Sequence, residues 1–185
     1  TETRAKDWPN RYGDLQMLTD AQLVELQNSP SAWHARRARV ILQGRATQRK
    51  LADTTHAALW RLFQSHDNED IRLRALWSLH ITGGLSQRDL VQTLDDPAEH
   101  VRAWAIQLLC EGEPPAAPVL ARFVEMARDD PSPVVRLYLA ASLQRLTHDA
   151  RWPLAAELVT RGEDCDDHNL PKMIWFGIEA AVPGD

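Results

Sequence analysis

Long apolar runs are missing from this 185-residue chain. No stretch of 18 apolar residues occurs, so no segment is suited to cross a membrane as a helix. Alternating apolar and polar runs long enough for a convincing strand are missing too. Cysteine is scarce: Cys110 and Cys165 lie far apart and form no metal or redox spacing. They could pair in an oxidising compartment. The plainer expectation is one buried, small apolar residue and one free thiol in a polar loop. A basic excess is also lacking. The net charge is −5 and the pI about 5.8, which argues against a duplex-DNA binder. No charged-then-apolar leader opens the chain. Position 1 is Thr rather than Met, which reads as an excised or processed piece. No Ser-His-Asp set, phosphate-cradling glycine loop or Cys-Xaa-Xaa-Cys-His haem attachment motif is present, so no enzymatic role and no cofactor is expected.

What the chain does have is a phrase that returns. "DDPAEHVRAWAIQLL" (95–109) recurs as "DDPSPVVRLYLAASL" (129–143), "HDNEDIRLRALWSL" (66–79) and, most degenerately, "NSPSAWHARRARVIL" (28–42). An apolar residue followed by Arg anchors each copy: Ala35-Arg36, Ile71-Arg72, Val101-Arg102 and Val135-Arg136, at intervals of 36, 30 and 34. A fifth copy falls at "DDHNLPKMIWFGIEAAV", with Leu170 in the anchor slot and Pro171 in place of Arg. Self-similarity at this period is the mark of a solenoid of stacked helix pairs.

Each copy carries two helical patterns. Val101, Trp104, Ala105, Leu108 and Leu109 fall on one helical face. The preceding Asp-Pro suits a helix start, with Asp as cap. A second amphipathic segment precedes each anchored one: Thr19–Gln27, Thr55–His66, Ser86–Leu94, Ala117–Arg128 and Arg151–Arg161. The first of these opens with a capping box, Thr19 and Gln22. The fold class expected is all-α: a right-handed α-solenoid of about five helix pairs, at 14–48, 52–82, 85–111, 115–148 and 151–183. Residues 1–13 read as a tail or linker, and 14–185 as one array.

One such pair cannot bury its apolar stripe alone, but a stack can. The anchor arginines Arg72, Arg102 and Arg136 would rise one above another. Bare guanidinium groups would repel, so acidic partners are expected, with Asp96 and Asp130 in the turns the natural choices. This is a structural ladder, or alternatively an anion-binding stripe. Trp33, Trp60, Trp77, Trp104, Trp152 and Trp175 fall inside the expected helices and read mostly as core or inter-repeat packing, with any exposed one a candidate binding anchor. The acidic run Glu163, Asp164, Asp166, Asp167, His168 could hold a hard cation. The plainer reading is a capping loop, with Asp167 or Asn169 at the next helix start. The basic stretch Arg36–Lys50 reads as a solvated helix face.

The phrases "DLQMLTDAQLVELQNS", "RLRALWSLHITGGL", "DDPAEHVRAWAIQLL", "DPSPVVRLYLAASLQRL" and, most distinctively, "GEDCDDHNLPKMIWFGIE" carry a more specific likeness. They resemble the HEAT-repeat region of PVC-type haem-binding, membrane-bound dehydrogenase-like multidomain bacterial proteins. The resemblance covers roughly Asp14 to Pro183. It implies a β-propeller before this region, a c-type cytochrome module after it, and an exported or periplasmic parent. Neither module lies in this chain, so the resemblance transfers no catalytic residue. HEAT proteins that build a di-iron site do so from His-Glu dipeptides, and this chain has none. The function implied is a non-enzymatic scaffold or protein-interaction module, a monomeric spacer that meets flanking domains or a protein partner rather than nucleic acid. The alternative is a docking module that helps a redox enzyme receive a cytochrome or a sugar substrate.

Overall fold

The computed structural model describes residues 13–182. The expected tail at 1–13 lies outside these except for Gly13, as does Pro183 at the end of the fifth copy. The described residues contain ten α-helices, five short 3₁₀ segments and no strand. They fall into two compact units that divide between Leu85 and Ser86.

The first unit holds α1 (Asp20–Glu25), α2 (Ala32–Gln48), α3 (Asp53–Ser65) and α4 (Glu69–Ile81). Helix α1 packs on α2 and α3, α3 on α4, and α2 on α4. The starts are chemically specified. Thr19 Oγ1 accepts from the Gln22 N–H, and Gln22 Oε1 accepts from the Thr19 N–H at 2.9 Å, completing the expected capping box. Asn68 Oδ1 accepts from the Ile71 N–H. Helix α4 stops where Gly83 turns to φ +72, a left-handed conformation that glycine adopts without steric cost. The Gly84 N–H then closes back on the Leu79 carbonyl. Leu23, Ala35, Ala38, Leu42, Leu59, Phe63, Leu76 and Leu79 form the interior, each large side chain contributing about 1.5–3 kcal/mol by leaving water.

The second unit holds α5 (Gln87–Thr93), α6 (Glu99–Leu109), α7 (Ala117–Asp129), α8 (Pro133–Ser142), α9 (His148–Val159) and α10 (Leu170–Ile178). Successive helices pair as α5 with α6, α7 with α8, and α9 with α10. The second helices also pack in series, α6 on α8 on α10, and α7 packs on α9. Small residues permit this: Ala103, Ala105 and Ala140 are fully buried between the helices. A close approach occurs at Gly177 of α10. A Cβ there would sit 2.6 Å from Leu143 Cβ.

Two expectations about helix starts are corrected. The cap of α6 is Ala98, which has no side chain to bond. Asp96 instead accepts from the Ala98 N–H at 2.9 Å, shaping the turn two residues earlier. Asp130 does the same for Ser132, and Ser132 Oγ then caps α8. The aspartate of each "DP" phrase builds the turn, and the residue after it meets the helix.

Candidate interaction surface

The recurrent arginines mark one side of the second unit. Arg102, on α6, grips Asp130 with two bonds: Nε to Oδ2 at 2.8 Å and Nη2 to Oδ1 at 2.9 Å. Its Nη1 donates to the Asp96 carbonyl at 2.8 Å and the Pro97 carbonyl at 3.1 Å. Arg136, on α8, repeats the arrangement one copy later. Its Nε and Nη2 meet Asp164 at 2.5 and 2.6 Å, and its Nη1 donates to the Asp130 carbonyl at 3.0 Å. Both arginines reach 28 residues forward. Arg136 is 2% exposed and Asp164 6%. The two bonds from Asp164 hold the Arg136 guanidinium above its ordinary pKa.

Asp130 is therefore the expected partner of Arg102. Asp96 gives Arg102 its carbonyl and keeps its carboxylate in the turn. The carboxylate that pairs with Arg136 is Asp164, which the sequence alone places in an acidic loop. The signal that finds it is register: the step from Arg102 to Asp130, applied to Arg136, lands on 164. Arg72, in the first unit, is half-buried; its Nε donates to the Phe63 carbonyl at 2.8 Å, and its guanidinium lies 5.4 Å from the Phe63 ring centre.

The acidic loop is taken up by the chain itself. Asp164 is turned into the ion pair. Asp167 Oδ1 accepts from the N–H groups of Asn169 and Leu170, both at 2.8 Å. Those two bonds hold its carboxyl below the ordinary carboxylate value. Among the described residues no group of three or more His, Cys, Asp or Glu side chains gathers as a metal site. Cys110 is buried and Cys165 exposed, both free.

Arg151 was not singled out by the sequence. It is buried on α9 with no carboxylate paired to it among the described residues, and donates to the carbonyls of Leu146, Gly177 and Gln144. It ties the end of α10 to the segment after α8, serving the carbonyl ends of two helical segments. The fifth copy, whose anchor arginine is replaced by Pro171, thus keeps an arginine tie of another kind.

The tryptophans depart most from expectation. None of the six in helices is buried. Trp33, Trp152 and Trp175 are exposed, and Trp60, Trp77 and Trp104 are half-buried. The reason is visible on α6. It packs on both α5 and α8, and Val101, Ala103, Ala105, Ile106, Leu108 and Leu109 fill those contacts. Trp104 is left at the margin of the stripe.

There it helps form a groove. An open cleft of about 340 Å³ runs across the second helices, lined by Trp104 and Gln107 of α6, Leu137, Tyr138 and Ala141 of α8, Met173 of α10 and Asn169 just before it. The Trp104 and Tyr138 rings sit 6.2 Å apart at 57°, a tilted pair that offers an aromatic wall. The lining is mostly apolar, with the amides of Gln107 and Asn169 as its polar groups beside the Tyr138 hydroxyl. Met173 adds a side chain that can adapt its shape. Compared with known proteins, the chain matches no family model and no curated protein.

Proposed function

We propose that this chain is a right-handed HEAT-type solenoid of five helix pairs that works as a monomeric protein-interaction module. It would hold flanking domains, a β-propeller and a c-type cytochrome, at a fixed separation in a larger exported protein, and carry no catalysis of its own. The observation that carries the reading is the groove over α6, α8 and α10. It is open and apolar, and its lining holds no titratable pair that could exchange a proton with a substrate. Repeated Arg–Asp ties on successive second helices support the solenoid, because identical ties at a fixed register are what stacked copies produce.

The partner chemistry follows from charge. Residues 86–185 carry 9 Lys and Arg against 17 Asp and Glu. An apolar groove in so acidic a setting suits a basic amphipathic helix that inserts one aromatic or aliphatic anchor. Affinity capture from the source extract, with Met173→Glu alongside the native chain, tests this. Met173 is half-buried at the groove, so its carboxylate would face the incoming apolar anchor. A basic partner that is held by the native chain and lost by Met173→Glu, with Tm unchanged, is the expected result. Trp104→Ala is expected to cost about 1–2 kcal/mol in stability, below the range for a fully buried Trp, and to weaken the same partner. Equal capture by the native chain and Met173→Glu would sink the groove as the docking site. Recovery of a cytochrome would instead favour direct participation in electron transfer.

A further inference from the structure

The groove over α6, α8 and α10 suits a basic helix with one aromatic or aliphatic anchor, and the chain holds such a helix itself. Helix α2 carries Arg36, Arg37, Arg39 and Arg45 and no acidic residue. Its buried positions, Ala35, Ala38 and Leu42, share one side. On the opposite side stand Trp33, Arg36, Arg37 and Val40, at i, i+3, i+4 and i+7, a single helical face. All four are exposed, Trp33 by 63% and Val40 by 47%. Arg36 and Arg37 enter no ion pair among the described residues. The Trp33 ring meets the His34 ring edge to face, with centroids 4.8 Å apart, which restrains where the indole points.

Exposed apolar surface rimmed by polar groups marks an interaction site, and tryptophan beside arginine is the composition of a binding anchor. The charges of the two surfaces are complementary. Residues 28–50 carry six Arg and Lys and no Asp or Glu, whereas residues 86–185 carry 9 Lys and Arg against 17 Asp and Glu. Trp33 lies in the first turn of α2, so the positive end of the helix dipole adds to the arginines. In the groove, Trp104 and Tyr138 offer ring faces to an indole and Met173 can adapt to it. Asp166 and Asp167, both exposed, stand just before the groove residue Asn169.

We propose that the groove of one copy takes Trp33 of a second copy, with Arg36 and Arg37 meeting the acidic surroundings of the groove. The proposal rests on the reading of the groove as a docking site and supplies its regulation. The single chain is the working form, and a second copy competes with the partner for the groove. The contact joins two different surfaces, so a joined pair keeps one groove and one α2 face free, and further copies can add. Masking of the groove therefore deepens as the chain is concentrated.

Sedimentation velocity of the full chain over a concentration series tests this. The native chain should show a sedimentation coefficient that rises with concentration in low salt and falls back as salt screens the exposed charges. Trp33→Ala and Met173→Glu should each weaken association at least tenfold with Tm unchanged, since neither side chain is buried. Mixing the two variants is the sharper test. Trp33→Ala keeps an intact groove and Met173→Glu keeps Trp33. Equal parts should associate where neither does alone, and should stop at the dimer. A native chain that stays monomeric throughout overturns the proposal. So does association retained by either variant, association indifferent to salt, or a mixture no more associated than its parts. None of these outcomes touches the capture of a separate basic partner, so self-docking can fail while the groove stands as a docking site.

Discussion

Replacing Arg136 by alanine isolates the ion pair on which the second unit turns. The side chain is 2% exposed and its partner Asp164 6%, so solvent screening offers little relief. Removing the guanidinium leaves a buried carboxylate with neither of its two short bonds, and leaves the Asp130 carbonyl without its donor from Arg136. Breaking a buried pair by deleting one partner costs about 3–5 kcal/mol, mostly through the charge left behind. For a chain of this size that is a fall in Tm of roughly 6–20 °C. Urea unfolding followed by circular dichroism reads it as a lower midpoint. The double variant Arg136→Met/Asp164→Leu distinguishes charge from packing. With both charges gone, stability should recover to within about 1–2 kcal/mol of the native chain, or exceed it. A loss under about 1 kcal/mol for Arg136→Ala would refute the reasoning. So would a double variant as damaged as the single one.

Two further outcomes follow from contacts at the ends of the chain. Gly177→Ala places a methyl group 2.6 Å from Leu143 Cβ, where both neighbours are backbone-anchored. A loss of about 1–3 kcal/mol is expected, and a native Tm would show that α10 can shift freely. At Asp20 burial raises the carboxyl pKa, but Arg49 and Arg45 together outweigh it and hold the group below its ordinary 3.8. A lowered folded-state pKa means the stabilisation is complete above the unfolded value and is lost as pH falls through the folded one. The native chain should therefore lose stability below about pH 4, and Asp20→Asn should flatten that part of the pH profile. An identical acid limb in the variant would show that Asp20 contributes nothing there.

The helix content and its pairing were legible because apolar spacing at 3.6 residues and a 30–36-residue recurrence are strong, redundant signals. Thr19 and Gln22 announced their capping box. Arg102 and Asp130 could be matched because each belongs to the repeated phrase. Asp164 could not, since it sits among other acids and only the 28-residue register sets it apart. The tryptophans misled for a different reason. Periodicity gives a face but not how wide the buried stripe is. On a helix flanked from two sides, alanines take the tight positions and the large ring is displaced to the edge.

Asp130 serves neighbours on both sides. Its carboxylate holds Arg102, its carbonyl accepts from Arg136, and Oδ1 fixes the turn that opens α8. A single residue thus belongs to the accounts of three consecutive copies, through α6, α8 and the Asp164 loop beyond. Melting of any one of them releases groups in the next. Helix pairs tied in this way are expected to open together rather than peel from an end one at a time. Amide exchange across residues 99–178 should therefore follow one shared opening event, and a cut within this stretch should unfold the second unit as a whole rather than leave it one pair shorter.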